Sequence, residues 1–211
     1  MVIKLKGTDI NIQLDNYWQS VQPKPDDPKD LSIIGLNTPE AYSLIFIQPI
    51  TENELIPIGN KKALIDGIRN YLSENNGFIE VDTNTEKYPY SYSIIKTLLE
   101  PHGIQYGINF HVKINKFNFQ INGFFEENGI TGTRETQIYE HCKREGVIKI
   151  EENNGKLNVI GWAEDPYDKK FTKDQLMNIS EKENVDEYFP HHPISEARKF
   201  IKNIIVNINK S

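Results

Sequence analysis

The most constraining stretch of this chain runs from Ile104 to Phe125. Its first half places Ile104, Tyr106, Ile108, Phe110, Val112 and Ile114 at every second position, with Gln105, Gly107, Asn109, His111 and Lys113 between them. The second half keeps the period but shifts phase, to Phe117, Phe119, Ile121 and Phe125, with Asn118, Gln120 and Asn122 between. A period of two is that of a strand with one buried face. A two-residue turn at Asn115-Lys116 accounts for the shift, because it sets Ile114 against Phe117, Val112 against Phe119, Phe110 against Ile121 and Tyr106 against Phe125. Asn tolerates the positive φ that such a turn needs. All the apolar side chains then share one face, and a slip of one residue would expose every one of them. The stretch predicts a long antiparallel hairpin inside a sheet.

The flanking sequence supplies partners for that sheet. Residues 2–14 alternate around Gly7-Thr8-Asp9 and predict an N-terminal hairpin. Pro23, Pro25 and Pro28 among acidic residues predict a surface loop over 15–30, with Tyr17 and Trp18 capping the core edge. Residues 31–36 and 41–50 read as strands; the second is apolar on both faces, as a strand covered on two sides would be. Asn60 opens a helix in which Leu64, Ile65, Ile68, Tyr71 and Leu72 make one stripe, and Gly77 is placed to end it. Residues 78–82 and 90–99 then lead into the central hairpin as a four-strand meander.

A second helix is predicted over 134–145, capped by Thr133 and ended by Gly146, with a thin apolar face of Ile138, Tyr139 and Cys142. Residues 147–150 and 157–160 flank Asn154-Gly155, a strong hairpin signal that sets Ile150 opposite Val159. Residues 174–188 read as a short helix or irregular segment, and Pro193 begins a final helix. Its seam of Ile194, Ala197, Ile201, Ile204 and Ile208 either docks on the chain's own sheet or makes a homodimer through Ile194, Ile201, Ile204 and Ile208. The class predicted is α+β: a single domain, with an antiparallel meander sheet packed by helices over 1–146, then a hairpin and C-terminal helical extension over 147–211.

Charge and composition exclude several functions. A formal charge of −6 speaks against a broad nucleic-acid surface, which would need a basic patch. No apolar run approaches the roughly 20 residues of a membrane-spanning helix. The single Cys142 cannot form an internal disulfide and fits a reducing compartment, so a cytoplasmic location is expected. No phosphate loop, dinucleotide fingerprint or metal-ligand spacing occurs, and no cofactor is expected. His191-His192 sits in a Pro-bounded turn that anchors the last helix, with Phe189 buried beneath it. Cys142 reads as a small packing residue. Gly129-Ile130-Thr131-Gly132-Thr133 puts backbone amides at a helix start, where an anion can bind, although a crossover needs the same residues.

The order of elements resembles the PsbP/Mog-like family, most closely where Phe119-Gln120-Ile121-Asn122-Gly123-Phe124-Phe125 leads into Thr131-Gly132-Thr133-Arg134-Glu135. The likeness is one of pattern over residues 1–146, with no diagnostic motif. It implies an α/β/α sandwich and a binding role, since members include photosystem-assembly subunits, a Ran-binding protein, lipoproteins and cytoplasmic chaperones of secreted effectors. For this chain it implies a non-enzymatic adaptor or effector-specific chaperone whose partner is another protein.

The surface expected to carry that partner is the polar row Gln105, Asn109, His111, Gln120 and Asn122, with Tyr90 and Tyr92 nearby. Amides and tyrosines donate and accept hydrogen bonds, which suits adaptable recognition. Without a partner, the row is simply the wet face of a half-buried sheet, with His111 a surface histidine and no acid beside it. Two alternatives differ in kind: an acidic immunity protein against a toxin, and a small hydrolase or ligand-binding enzyme in which His111 meets Glu80, Asp82 or Glu100 in one pocket.

Overall fold

The computed structural model describes residues 1–101, 103–153, 155–172 and 175–210. The chain opens with the hairpin β1 (Val2–Lys4) and β2 (Asn11–Gln13), in register Ile3 to Ile12. Then come β3 (Trp18–Val21), β4 (Ser32–Asn37), β5 (Ala41–Ile50), helix α1 (Lys61–Arg69), β6 (Asn76–Asn84), β7 (Tyr90–Leu98), β8 (Ile104–Ile114) and β9 (Phe117–Glu127). Helix α2 (Thr133–Arg144), the hairpin β10 (Lys149–Asn153) and β11 (Lys156–Ile160), the short pair β12 (Ala163–Glu164) and β13 (Met177–Asn178), and helix α3 (Pro193–Lys210) complete it. Seven strands form the main sheet, in the order β3-β4-β5-β9-β8-β7-β6, each pair antiparallel. The fold is α+β, as the sequence predicts.

The central hairpin has the predicted register. Ile114 faces Phe117, Phe110 faces Ile121, and Asn115 takes the positive φ of 55°. The meander β6-β7-β8-β9 is likewise as read. One face of the sheet, the inner face, carries Ile34, Leu36, Ile45, Ile47, Tyr92, Ile94, Tyr106, Ile108, Phe110, Ile121 and Phe125 into a single core with β1, β2 and α3. The α3 seam is spent there: Ile194, Ile201, Ile204 and Ile208 are all buried in the chain's own core. They offer no surface for the homodimer contact. Removing that much apolar area from water on one chain leaves no reason for the seam to seek another.

The outer face is covered by an α-helix at one end, and the segment between β5 and α1 crosses over His111. Helix α1 lies over β6, with Leu64, Phe78 and Val81 at the centre of a second cluster joined by Ile56, Ile65, Ile68, Leu72, Ile95 and Tyr167. A bulge between Phe78 and Glu80 lets Phe78 serve this cluster while Ile79 and Glu80 both serve the inner face. Strand β5 is therefore not covered on two sides. Ala41, Ser43, Ile45 and Ile47 are buried inward, but Leu44, Phe46 and Gln48 are only half-buried and Tyr42 is exposed.

Three boundaries differ from the reading. The stretch predicted as loop contains β3, because Trp18–Val21 precedes the first proline; Trp18 packs on Phe125 and Phe200 while Tyr17 is exposed. Helix α1 ends at Arg69, with Asn70 as C-cap, so Tyr71 is exposed and Gly77 belongs to β6. Gly77 serves a close approach instead. A Cβ there would lie 1.4 Å from the carbonyl oxygen of Gln175, whose amide donates to Asn76 O at 3.0 Å. Helix α2 packs chiefly on the 3-10 turn Ile179–Glu181 rather than across the sheet. In the β10–β11 hairpin Ile150 faces Val159 as predicted; Asn154 of its turn and Asp174 lie outside the described residues.

Candidate functional site

Parity along each strand decides which side chains point to the outer face. On β8 and β9 these are Gln105, Asn109, His111, Lys113, Asn118, Gln120, Asn122, Phe124 and Glu126; on β5 they are Tyr42, Leu44, Phe46 and Gln48. The predicted row is thus on one surface. Its amides are linked: Gln48 Nε2 donates to Gln120 Oε1 (3.1 Å), and Gln120 Nε2 donates to Asn109 Oδ1 (3.3 Å). Asn122, opposite both Phe46 and Asn109, makes no side-chain hydrogen bond among the described residues. Its carboxamide is free for a partner.

His111 is not the surface histidine expected. Only 2% of it is exposed, because the segment after β5 crosses over it and the Ile56 amide donates to its Nδ1 (3.4 Å). With Nδ1 accepting, Nε2 carries the proton and faces Asn109 Oδ1 at 3.0 Å. Burial pushes the imidazole down to about 4, against a smaller opposing pull from Glu54. It is a neutral wall of the site, locking Asn109 from below. An acid does stand on this face: Glu126 accepts from Gln105 Nε2 at 2.5 Å, so Gln105 is already engaged. At the opposite end Lys113 pairs with Glu52, which also accepts from Asn118 Nδ2.

Tyr90 and Tyr92 are on the wrong side of the sheet for this surface. They pair with Val112 and Phe110, stack on Phe110, and are 7% exposed in the inner core. Tyr92 Oη donates to Glu80 Oε1 (2.6 Å), which satisfies the hydroxyl without water. What replaces them is apolar and comes from β5 and β9. Tyr42 and Phe124 lie 6.0 Å apart, with Leu44 and Phe46 alongside. The double alternation of β5 was the signal for these residues.

The residues of the hydrolase alternative do not converge. His111 is held under Ile56 on the outer face, Glu80 is bound to Arg198 and Tyr92 on the inner face, Asp82 pairs with Lys61, and Glu100 is exposed in a turn. Those four cannot form the predicted pocket.

A second polar cluster was invisible in the sequence. Arg134, 1% exposed, donates to Ser180 O, Ser195 Oγ, Lys182 O and Asp186 Oδ1; Arg198 donates to Glu80, Asp186 and Glu181 O. Lys96 and Tyr106 both donate to the Glu181 carboxylate, at 2.9 and 3.2 Å. Three cations meet three carboxylates and each has several partners, so this is a closed ionic joint between sheet, α2, tail and α3 rather than a site waiting for a ligand. The anion position at the start of α2 is similarly filled: the Gly132 amide donates to Glu127, 3.0 Å from each carboxylate oxygen. His192 lies 3.3 Å from the same carboxylate and donates from Nε2, its Nδ1 accepting from Ile194 N. Phe189 is half-buried rather than buried, and no group of three metal-ligating residues occurs among the described residues. Cys142 is buried, which raises its thiol above the ordinary range and fits a packing role.

No family model matches the sequence, and no curated protein matches it. Among solved structures the chain is similar to cyanobacterial PsbP (CyanoP) from Synechocystis sp. PCC 6803, at 11% identity and a TM-score of 0.36, over 63% of this chain and 81% of that one.

Proposed function

We propose that this chain is a non-enzymatic, cytoplasmic protein-binding protein, an adaptor or effector-specific chaperone, and that its partner lies on the outer sheet face beyond α1. One observation carries the reading: three strands of that face, β5, β9 and β8, together bear aromatics and linked amides, with no α-helix packed over them among the described residues. Apolar side chains there supply burial, while the amides fix register without the desolvation cost of charges. The free carboxamide of Asn122 sits between Phe46 and Asn109, at the centre of the patch.

The experiment is capture from host lysate with quantitative mass spectrometry, comparing the native chain with Asn122→Arg and Gln120→Arg. A guanidinium placed among uncharged amides and aromatic rings has no counter-ion when a partner closes over it. The expected result is loss of one specific co-purifying protein by at least about tenfold, a ratio that corresponds to 1.4 kcal/mol. Unchanged capture of every protein with both variants removes the face from consideration.

A further inference from the structure

A glycine inside a strand weakens it and usually has a reason: a bulge, a tight bend, or something that approaches the backbone closely. Gly77 and Gly123 have theirs within the chain. A Cβ at Gly77 would meet the Gln175 backbone, and one at Gly123 would lie 2.2 Å from Leu44 O. Gly107, inside β8, has no such reason. Its pairing with Ile95 on one side and Phe124 on the other is unbroken, and its φ is not positive. The nearest atoms to a Cβ there are the carbonyl oxygens of Ile95 and Gly123, at 3.7 and 4.0 Å, which is ordinary contact. No side chain among the described residues comes within 4 Å of that position.

By parity Gly107 belongs to the outer face, where it leaves a gap between Phe124 on β9 and Ile95 on β7. Beside the gap stands a charge without a counter-charge. The outward residues of β5, β8 and β9 include two charged side chains, Lys113 and Glu126. Lys113 is paired with Glu52. Glu126 accepts from Gln105 on Oε1 alone and makes no ion pair among the described residues. It follows Phe124 on the same face of β9, and its cross-strand neighbour on β5 is Tyr42, an exposed ring 6.0 Å from that of Phe124.

We infer that the gap over Gly107 receives an arginine side chain of the protein partner, its guanidinium stacked on Phe124 and bonded to the free oxygen of Glu126; this rests on the outer face being the partner's site. The lone carboxylate calls for a cation, because a neutral or acidic side chain would leave Glu126 without a counter-charge once the partner has excluded water. The planar fork of a guanidinium stacks on a ring and binds a carboxylate at once, whereas a compact ammonium does not. The spacing suits both contacts: same-face neighbours along a strand are roughly 7 Å apart and adjacent strands roughly 5 Å.

The test uses peptides selected from a random displayed library against the whole native chain, keeping those whose binding falls with Asn122→Arg and which therefore use the outer face. These are expected to share an arginine. Replacing it by citrulline, which keeps the shape and removes the charge, and changing Glu126→Gln should each weaken binding at least about tenfold, and both together little more than either. Gly107→Ala, which the sheet accommodates, should keep or raise the melting temperature while weakening the same peptides. Outer-face binders without arginine, binders indifferent to Glu126→Gln, or losses that simply add overturn the inference and leave the face standing as a partner site. A selection that yields no binder sensitive to Asn122→Arg overturns the reading of the face, and the inference with it.

Discussion

The backbone amide of Ile56 donates to His111 Nδ1 at 3.4 Å, and that one contact sets the tautomer of a histidine on the outer sheet face. It shows how the segment between β5 and α1 does more than connect. It roofs His111, and through His111 Nε2 it immobilises Asn109 beside the open patch.

A pH dependence follows. The folded-state value of His111 is about 4, below the ordinary 6.5, so between these values the unfolded chain binds the proton and the folded chain does not. The contribution of His111 to stability is complete above pH 6.5 and is lost as pH falls toward 4. Its full size is on the order of 3 kcal/mol. Imidazole proton shifts measured by NMR across pH 3–8 should give a midpoint near the lower value. A midpoint near 6.5 would mean that the roof over His111 is open in solution.

The ionic joint should be the most sensitive polar feature of the fold. Arg198→Ala leaves Glu80 and Asp186 short of a cation in the core and is expected to cost about 3–5 kcal/mol in urea unfolding. Lys202→Ala removes an exposed pair with Glu183 and should cost no more than about 1 kcal/mol. Equal effects of the two would contradict the burial of Arg198.

Ser43 presents the opposite case. Its Oγ is buried near the start of β5 and is the one buried side-chain polar atom without a partner among the described residues. Ser43→Ala is expected to be neutral or to stabilise by about 1 kcal/mol, since it deletes an unpaid desolvation and leaves little space. Thermal unfolding of the two proteins under identical conditions checks the sign.

Gly77→Ala probes how the tail is held. The added Cβ collides with the Gln175 backbone, so β6 and the tail must part locally, at a cost of about 2–4 kcal/mol. An unchanged melting temperature would place the tail elsewhere. Hydrogen exchange should show lost protection at Gln175 before any loss in β8 or β9.

What was legible in the sequence was what repeats locally. The Ile104-to-Phe125 pattern carried its own register, because period two and a two-residue turn leave no other way to bury four apolar pairs on one face. Tyr90 and Tyr92 were misplaced although their alternation with Ser91 and Ser93 was in plain view; a hydroxyl suggested a wet surface, but Glu80 satisfies Tyr92 inside. The ionic joint could not be read, since Arg198 and Glu80 are 118 residues apart and Arg134 and Asp186 are 52. Nothing near any of them in sequence announces a partner. The candidate face was half legible. Its amide row followed from β8 and β9, whereas Tyr42, Leu44 and Phe46 read as a second buried face, because no local pattern says that α1 packs on β6, with β7, β8 and β9 between it and β5.

The most direct test of the account is site-specific photo-crosslinking in host cells, with the photoreactive residue at Asn122 and, as control, at Val206 on the exposed side of α3. The account predicts a discrete adduct with one other protein from position 122 and none from position 206. Adducts of equal yield and pattern from both positions, or none from position 122 while the chain is folded and abundant, would contradict it.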